Sequence, residues 1–284
     1  MSKGILYVVA TPIGNLDDLT PRAVVTLQQV DWIAAEDTRH TKPLLRHYGI
    51  DTPLKALHQH NEQAQLQPVL EALRGGQCIA LVSDAGTPLI SDPGFPLVQA
   101  YAAEGGQVVP IPGASALICA LSASGLPTDR FLFVGFPPRT SSQRKRWFEA
   151  LTGEGSTLVL YESSHRIADC LGDMQSVFGA SRIGVIGREL TKRHETFLRG
   201  SLQELVDRVN GDPDQRKGEF VVLLEGAPAV ESEQISLSME SLLMTLLEEL
   251  PLKQAVSLVA RVTGQKKYTI YNRALSLSKG RDVK

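Results

Sequence analysis

The chain has 284 residues, 43% of them apolar and 21% charged, with a formal net charge of −2. This is an ordinary globular composition, long enough for two domains with full cores. It excludes a global basic field for nucleic acid, though not a local basic patch, and no apolar run approaches membrane-spanning length. Cys78, Cys119 and Cys170 are widely separated, lie in apolar settings and lack metal-ligand spacing. With a start that runs directly into a strand pattern, they point to a reducing, cytoplasmic setting without a signal peptide.

Residues 5–9 read as a strand, followed by a turn-rich loop from Thr11 to Asp18. Thr20 before Pro21 is an N-cap with proline in the first helical position, which predicts a helix to about Gln29. Residues 32–35 form a second strand ending in Glu36, Asp37, Thr38, Arg39 and His40, with a short helix to Tyr48. A third strand over 54–57 leads through His58 and His60 into a helix that stops at Gly75 and Gly76. Residues 79–82 are a fourth, fully apolar strand. The long loop after it, from Ser83 to Gly94, is dense in Asp, Pro and Gly and precedes a helix near Phe95. A fifth strand over 108–111 closes on Pro112, Gly113, Ala114, Ser115 and Ala116, and the small, apolar helix after it should be buried on most sides. Five strands alternating with helices describe a mostly parallel sheet. The turn-rich residues around Gly125 to Asp129 mark a boundary.

The second half has another rhythm. Strands are expected over 131–135, 157–161, 182–187 and 220–224. Helices are expected over 143–151, from the serines Ser163 and Ser164 to Phe178, and from a Ser201–Glu204 capping box to Val209. Fewer helices per strand suggest a mixed sheet. Residues 226–236 read as a linker. The tail lacks strand signals and reads as helices over 239–250, 252–262 and 268–277, with Lys266, Lys267, Arg273, Lys279 and Arg281 nearby. It is either a small helix-turn-helix module or a packing helical pair. The domains are therefore 1–126, 127–226 and a helical tail over 237–284.

The central loop has no G-x-G-x-x-G, and the chain has no Walker-type Gly-Lys-Ser/Thr. Three strand-end loops in the first half (11–18, 83–94 and 112–116) converge on one sheet edge. Their small polar residues suit a neutral or zwitterionic ligand in a cleft between the domains. Several features have two readings. Glu36 and Asp37 are a catalytic carboxylate pair or partners of Arg39 and Arg46. His58 and His60 are spaced like metal ligands on a strand, but no third ligand is evident, so no metal is assigned. Arg139, Arg144, Lys145 and Arg146 hold RNA phosphates or are a solvated surface.

The motifs occur together and in order: Ala10-Thr-Pro-Ile-Gly-Asn-Leu, Ala35-Glu-Asp-Thr-Arg-His-Thr, Leu81-Val-Ser-Asp-Ala-Gly-Thr-Pro-Leu-Ile-Ser-Asp-Pro-Gly, Pro112-Gly-Ala-Ser-Ala, Tyr161-Glu-Ser, Arg188-Glu-Leu-Thr-Lys and Lys217-Gly-Glu. As a set they resemble the rRNA-modifying branch of the tetrapyrrole methylase superfamily, the class III methyltransferases, over essentially the whole chain. The resemblance implies two α/β domains with S-adenosylmethionine (SAM) in the cleft between them, a small C-terminal helical module, and a homodimer. It implies methylation of a cytidine ribose 2′-oxygen in the decoding region of 16S rRNA. Ile13, Asp84, Thr87, Ser115, Ala116, Tyr161 and Leu190 fall on the superfamily's SAM-contacting positions. Methyl transfer needs an acceptor of the hydroxyl proton, and Glu36, Asp37, Glu162, Glu189 and Lys217 are the candidates, with Arg39, His40 and Arg188 to orient the nucleotide. A small-molecule tetrapyrrole methylase and a non-enzymatic ribosome-binding protein stand as alternatives.

Overall fold

The computed structural model describes residues 3–228 and 239–279, with side chains over 3–228 and 241–275. In the first half, β1 (Ile5–Val9), β2 (Trp32–Ala35), β3 (Leu54–Ala56), β4 (Ile79–Val82) and β5 (Gln107–Ile111) form a parallel sheet in the order β3-β2-β4-β1-β5. All four residues of β2 and of β4 are buried, so their apolar runs have a core on each face. Strand parity divides them. Ile33 and Ala35 pack with Leu27 and Leu45 of α1 (Pro21–Gln29) and α2 (Thr38–His47). Trp32 and Ala34 pack with Leu70, Leu73 and Tyr101 of α3 (Glu62–Arg74) and α4 (Phe95–Ala103). The expected cap is present: Thr20 accepts from the Ala23 N–H at 3.2 Å, and Pro21 opens α1.

Connections leave β1 and β4 in opposite directions, which opens a crevice beyond their carboxyl ends. The loops there are tied by a bridge: Thr11 N–H donates to Gly86 O at 2.9 Å, and Gly86 N–H to Thr11 O at 3.1 Å.

The second half forms a mixed sheet, as its rhythm indicated. Its strands are β6 (Phe131–Gly135), β7 (Thr157–Ser163), β8 (Ile183–Arg188), β9 (Thr196–Ser201) and β10 (Glu219–Leu224), in the order β6-β7-β10-β8-β9. Only the β6–β7 pair is parallel. One face carries Leu158, Leu160, Ile186 and Val222 against Phe148, Leu171 and Leu205 of α6 (Ser141–Glu149), α7 (Ile167–Phe178) and α8 (Leu202–Gly211). The other face carries Val159, Val185, Val221 and Leu223. These pack on Leu117, Ala120 and Leu121 of α5 (Ala116–Ser124), the last helix of the first half. Burying each such leucine stabilises by about 1.5–3 kcal/mol, so α5 holds the two sheets in one compact unit, Met1–Ala227. Ile118, on the outer side of α5, is half exposed, so that helix is less enclosed than its composition suggests.

Two expectations need correction. Strand β9 was not foreseen. Its Thr-Phe-Leu-Arg-Gly-Ser run is a weak apolar signal, and it is an edge strand held in register by β8 (Ile183↔Ser201 to Arg188↔Thr196). The serines before α7 do not cap it: β7 runs two residues further than expected, Ser163 belongs to it, and the N-cap is Arg166 without a side-chain bond. The Ser201–Glu204 capping box is formed on both sides.

The second unit, Pro228–Lys284, holds α9 (Met239–Glu249), α10 (Leu252–Thr263) and α11 (Lys267–Lys279) around Leu243, Val256, Val259 and Ile270. Gly264, in the left-handed conformation, ends α10, and a three-residue turn leads into α11. Most of the expected linker over 226–236, and Arg281, lie outside the described residues.

Candidate functional site

A cavity of about 490 Å³ lies beyond the carboxyl ends of β1, β2, β4 and β5, and β7, β10 and the turn after β8 close it. The size is that of a small-molecule site. Its floor follows from the Thr11–Gly86 bridge. Gly86 has φ +80, and a Cβ there would point at Ile13 Cγ2, 3.2 Å away, so both its conformation and its surroundings favour glycine. Thr87 Oγ1 donates to Ala114 O at 3.1 Å and joins the central loop to the one after β5. Ser115 caps α5 by position, without a side-chain bond. From the second sheet, the Tyr161 hydroxyl accepts the Leu117 N–H at 3.3 Å, satisfying one of the free donors at the start of α5.

The turn after β8 forms another wall. Glu189 and Thr191 have left-handed backbone (φ +51 and +63), and Leu190 between them is buried against the cavity. The next residue, Lys192, packs over Gly14, where a Cβ would lie 2.4 Å from Lys192 Cγ. The first loop and this turn thus meet with no room for a side chain at residue 14.

Acidic groups dominate the polar lining. Asp84 Oδ1 accepts the Asp37 N–H at 3.0 Å, Asp84 Oδ2 lies 3.1 Å from His40 Nδ1, and the Asp84 N–H donates to Glu36 Oε2 at 3.3 Å. Burial, opposed by that backbone bond and reinforced by Asp84, holds the Glu36 carboxyl above its usual range. Asp92, from the far end of the central loop, also lines the cavity. Burial, with Glu36 and Asp84 nearby, pushes it up to about 6.

Every residue expected to hold SAM (Ile13, Asp84, Thr87, Ser115, Ala116, Tyr161 and Leu190) lines this one cavity. The expected proton acceptors separate. Glu36 lines it. Asp37 does not: it caps α2 and is ion-paired with Arg39 at 2.6 Å, whose hydrogen bonds hold its carboxyl well below the usual range. Glu162 borders the cavity only through the β7 backbone. It lies on the same face as Leu158 and Leu160, opposite to Tyr161, and its buried carboxylate is 3.2 Å from Arg166 Nη2. Glu189 stands outside the lining. Burial pushes its carboxyl up, but hydrogen bonds from Lys192 (2.9 Å) and the Glu219 N–H (2.9 Å) outweigh it and keep it below the usual range. Lys217 points away and pairs with Asp214 at 2.6 Å.

Two basic groups expected to touch RNA are interior. Arg188 donates to Lys217 O at 2.7 Å and His194 O at 3.2 Å, joining two loops. Arg144 is buried on Asp173 at 2.6 Å. Arg39 is exposed on its Asp37 pair. Asp92 and Lys192 are lining residues that the motif reading passed over. Asp92 stood in the singled-out loop, but a carboxylate ten residues beyond the end of β4 has no sequence signal for pointing inward. Among the described residues, no group of three His, Cys, Asp or Glu side chains is placed to hold a metal ion, and His58 and His60 have their rings 6.0 Å apart.

The lining fits a methyl donor carrying sulfonium and ammonium charges, since Glu36, Asp84 and Asp92 face the cavity and Gly86 leaves open the space a Cβ would fill.

Comparison with known proteins places these features. Residues 5–206 match the tetrapyrrole (corrin/porphyrin) methylases, and residues 233–278 match the RsmI C-terminal HTH domain. The chain is 51% identical over 277 residues to ribosomal RNA small subunit methyltransferase I of Pseudomonas aeruginosa, covering 97% of this chain and 98% of that one. It is 51% identical over 274 residues to the protein of that name from Haemophilus influenzae, covering 96% and 97%. Among solved structures, uroporphyrin-III-C-methyltransferase from Thermus thermophilus superposes with a TM-score of 0.55 at 19% identity, covering 78% of this chain and 94% of that one. Diphthine synthase superposes with a TM-score of 0.58 at 14% identity, covering 78% and 90%. At those identities the likeness is one of fold.

Proposed function

This chain belongs to the tetrapyrrole (corrin/porphyrin) methylase family, and from that membership we propose that it methylates the ribose 2′-oxygen of a cytidine in the decoding region of 16S rRNA, using SAM. The observation that carries the site is the gathering of all seven superfamily SAM positions, from both sheets, on one cavity. SAM, when bound, supplies an electrophilic methyl group on a positively charged sulfur. The chain's own residues do the rest. Gly86 and Ile13 form the floor, and Thr87 fixes the central loop against the loop after β5. The Asp37 N–H and His40 hold Asp84 in one orientation, and Leu190 seals the side toward the first loop. The acidic lining supports a donor cation and repels a carboxylate-rich tetrapyrrole, so a neutral ribose is the better acceptor.

RNA phosphates need basic groups outside this acidic cavity. The tail supplies them: Lys266, Lys267 and Tyr268 are exposed at the turn into α11, with Tyr268 77% exposed. An aromatic ring beside two lysines suits unpaired bases and their phosphates. The active form is a homodimer in the cytoplasm, where its substrate is assembled. Half-exposed Ile118 and the exposed Phe131 and Leu132 of edge strand β6 are the apolar surface for the subunit contact. Among the described residues no helix is long and apolar enough to cross a membrane.

The test is transfer of label from radiolabelled SAM to 30S subunits lacking the modification, with mass mapping of the rRNA. Label on one cytidine ribose is expected. SAM binding without label on RNA would overturn the assignment.

A further inference from the structure

Phe136 has no part in the motifs, yet the fold gives it a particular place. Of the large apolar residues that line the cavity, Ile90 and Phe136 are exposed, and Phe136, at 55%, is the aromatic one. The chain brings it there in two steps. Pairing of β6 with β7 shifts register between Phe133 and Gly135, and Gly135 has φ +71, a left-handed conformation that favours glycine. Phe131 and Leu132 thus stay on the edge strand, while Phe136 turns to the cavity and meets Tyr161 edge to face, with ring centroids 5.5 Å apart. The residues after it are clamped. Arg166 Nη2 donates to Pro137 O at 2.5 Å and Pro138 O at 3.1 Å, and Arg144 Nη1 to Pro138 O at 3.4 Å and Arg139 O at 3.3 Å. Each arginine is itself held by a buried carboxylate, Glu162 for Arg166 and Asp173 for Arg144. A ring on so stiff a mount has little freedom left to lose when a ligand packs on it, which favours binding.

We propose that Phe136 is the stacking platform for the target base, holding the cytosine at the mouth of the cavity while its ribose reaches inward; this rests on the rRNA methyltransferase reading above. A ribose enters such a cavity on a nucleotide drawn out of its stack. Drawing it out costs the base its contact with its neighbours, and a rigid aromatic face returns part of that contact. The surroundings of the ring fit an RNA strand. Past the clamp, Arg139 and Arg146 are exposed, which puts positive charge on the same loop and on α6 for the flanking phosphates. Ser163 and Ser164, at the end of β7, line the same cavity and offer hydroxyls to a ribose or a base edge. Stacking reads no sequence, so Phe136 sets where the acceptor sits, and the choice of nucleotide comes from other contacts.

The experiment compares wild type with Phe136→Ala, Phe136→Leu and Phe136→Trp. Calorimetry gives each variant's SAM affinity, so that every assay is run with SAM saturating. Single-turnover methylation of unmodified 30S subunits then gives the second-order rate, the maximum rate over the half-saturating subunit concentration, and light scattering gives the oligomeric state. Leucine keeps an apolar side chain against Tyr161 but has no ring face; tryptophan keeps the face. Phe136→Ala and Phe136→Leu should both lower the second-order rate about 5- to 150-fold, the worth of one base stack. Phe136→Trp should stay within about threefold of wild type, because stacking tolerates a change of ring. The proposal is overturned if Phe136→Leu matches wild type while Phe136→Ala does not, which would make the ring a packing support for Tyr161. It is overturned if Phe136→Trp loses as much as Phe136→Leu, or if Phe136→Ala weakens SAM alone and keeps the second-order rate at saturating SAM. A wild-type dimer that dissociates in Phe136→Leu would assign the ring to a subunit contact and overturns it too. If Phe136→Ala does not fold, the leucine and tryptophan variants decide. A wild type that labels no RNA refutes the rRNA reading instead, so the two failures are distinct.

Discussion

Replacing Gly86 by alanine tests the cavity floor directly, because Gly125 provides an internal control. Both glycines have nearly the same backbone, φ +80 and +83. An L-residue there costs about 1–2 kcal/mol, offset by the 0.4–1 kcal/mol that alanine gains through a less flexible unfolded chain. Each variant should therefore lose about 1 kcal/mol and roughly 2–4 °C in Tm. They differ in what the new methyl meets. At Gly125 nothing lies within 4 Å; at Gly86 it lies 3.2 Å from Ile13 Cγ2 and 3.7 Å from Ala114 O. Ile13 must give way by a few tenths of an ångström, and overpacking by one methyl group typically costs about 1–3 kcal/mol. If that cost falls on the SAM-bound state, Kd rises about 5- to 150-fold. Calorimetric titration of SAM into both variants, alongside thermal melts, separates the terms. Gly86→Ala should lose affinity and Gly125→Ala should keep it, with Gly86→Ala melting at or below Gly125→Ala because the Ile13 contact is present without SAM. Wild-type affinity in Gly86→Ala, or matching losses in both, would refute the assignment of this floor to SAM.

Other consequences are open to direct measurement. Glu162→Ala leaves Arg166 beside a buried hole and should cost about 3 kcal/mol, the lower end for a broken buried pair, since Arg166 keeps part of its side chain in water. Chemical denaturation should register that loss while kcat of the folded enzyme stays within about fivefold of wild type; a 100-fold fall in kcat at full stability would restore Glu162 as the base. Asp92 binds a proton more readily folded, at about 6, than unfolded, at 3.8. Its neutral form therefore contributes stability that is complete below pH 3.8 and is lost as pH rises through 6. Asp92→Asn, which stays neutral, should melt higher than wild type at pH 8, with the gap closing toward pH 4; a gap independent of pH would contradict the burial of that carboxylate. Replacing Lys266 and Lys267 by alanine should weaken 30S binding without changing SAM affinity. It should also flatten the salt dependence by about 1–2 in slope, against roughly 0.7–0.9 for each phosphate contact; an unchanged slope would remove the tail lysines from the RNA contact.

Much of this protein is decided along the chain itself. The parallel sheet is legible because β2 and β4 are unbroken apolar runs that demand cover on both faces. The starts of α1 and α8 are legible because Thr20-Pro21 and the Ser201–Glu204 box act within one turn of helix. The meeting of the first-half strand-end loops on one cavity is legible because such loops of a parallel sheet converge wherever connections reverse. What the chain could not decide depends on direction and partners. Glu162 sits one residue from Tyr161, yet strand parity sends the two to opposite faces, and the extra length of β7 that places Glu162 within that alternation comes from pairing with β10. Glu189 looks like a free carboxylate until Lys192 closes on it, and of the two readings of Asp37 the fold selects its pair with Arg39. Strand β9 exists through its ladder to β8, since its own residues are only half-buried. Asp92 faces the cavity because the folded loop holds Leu89 and Ser91 in left-handed conformations that local preference disfavours. Local signals act over a few residues and survive in the sequence, whereas the direction of a side chain and the charge beside it are set by segments that meet only after folding.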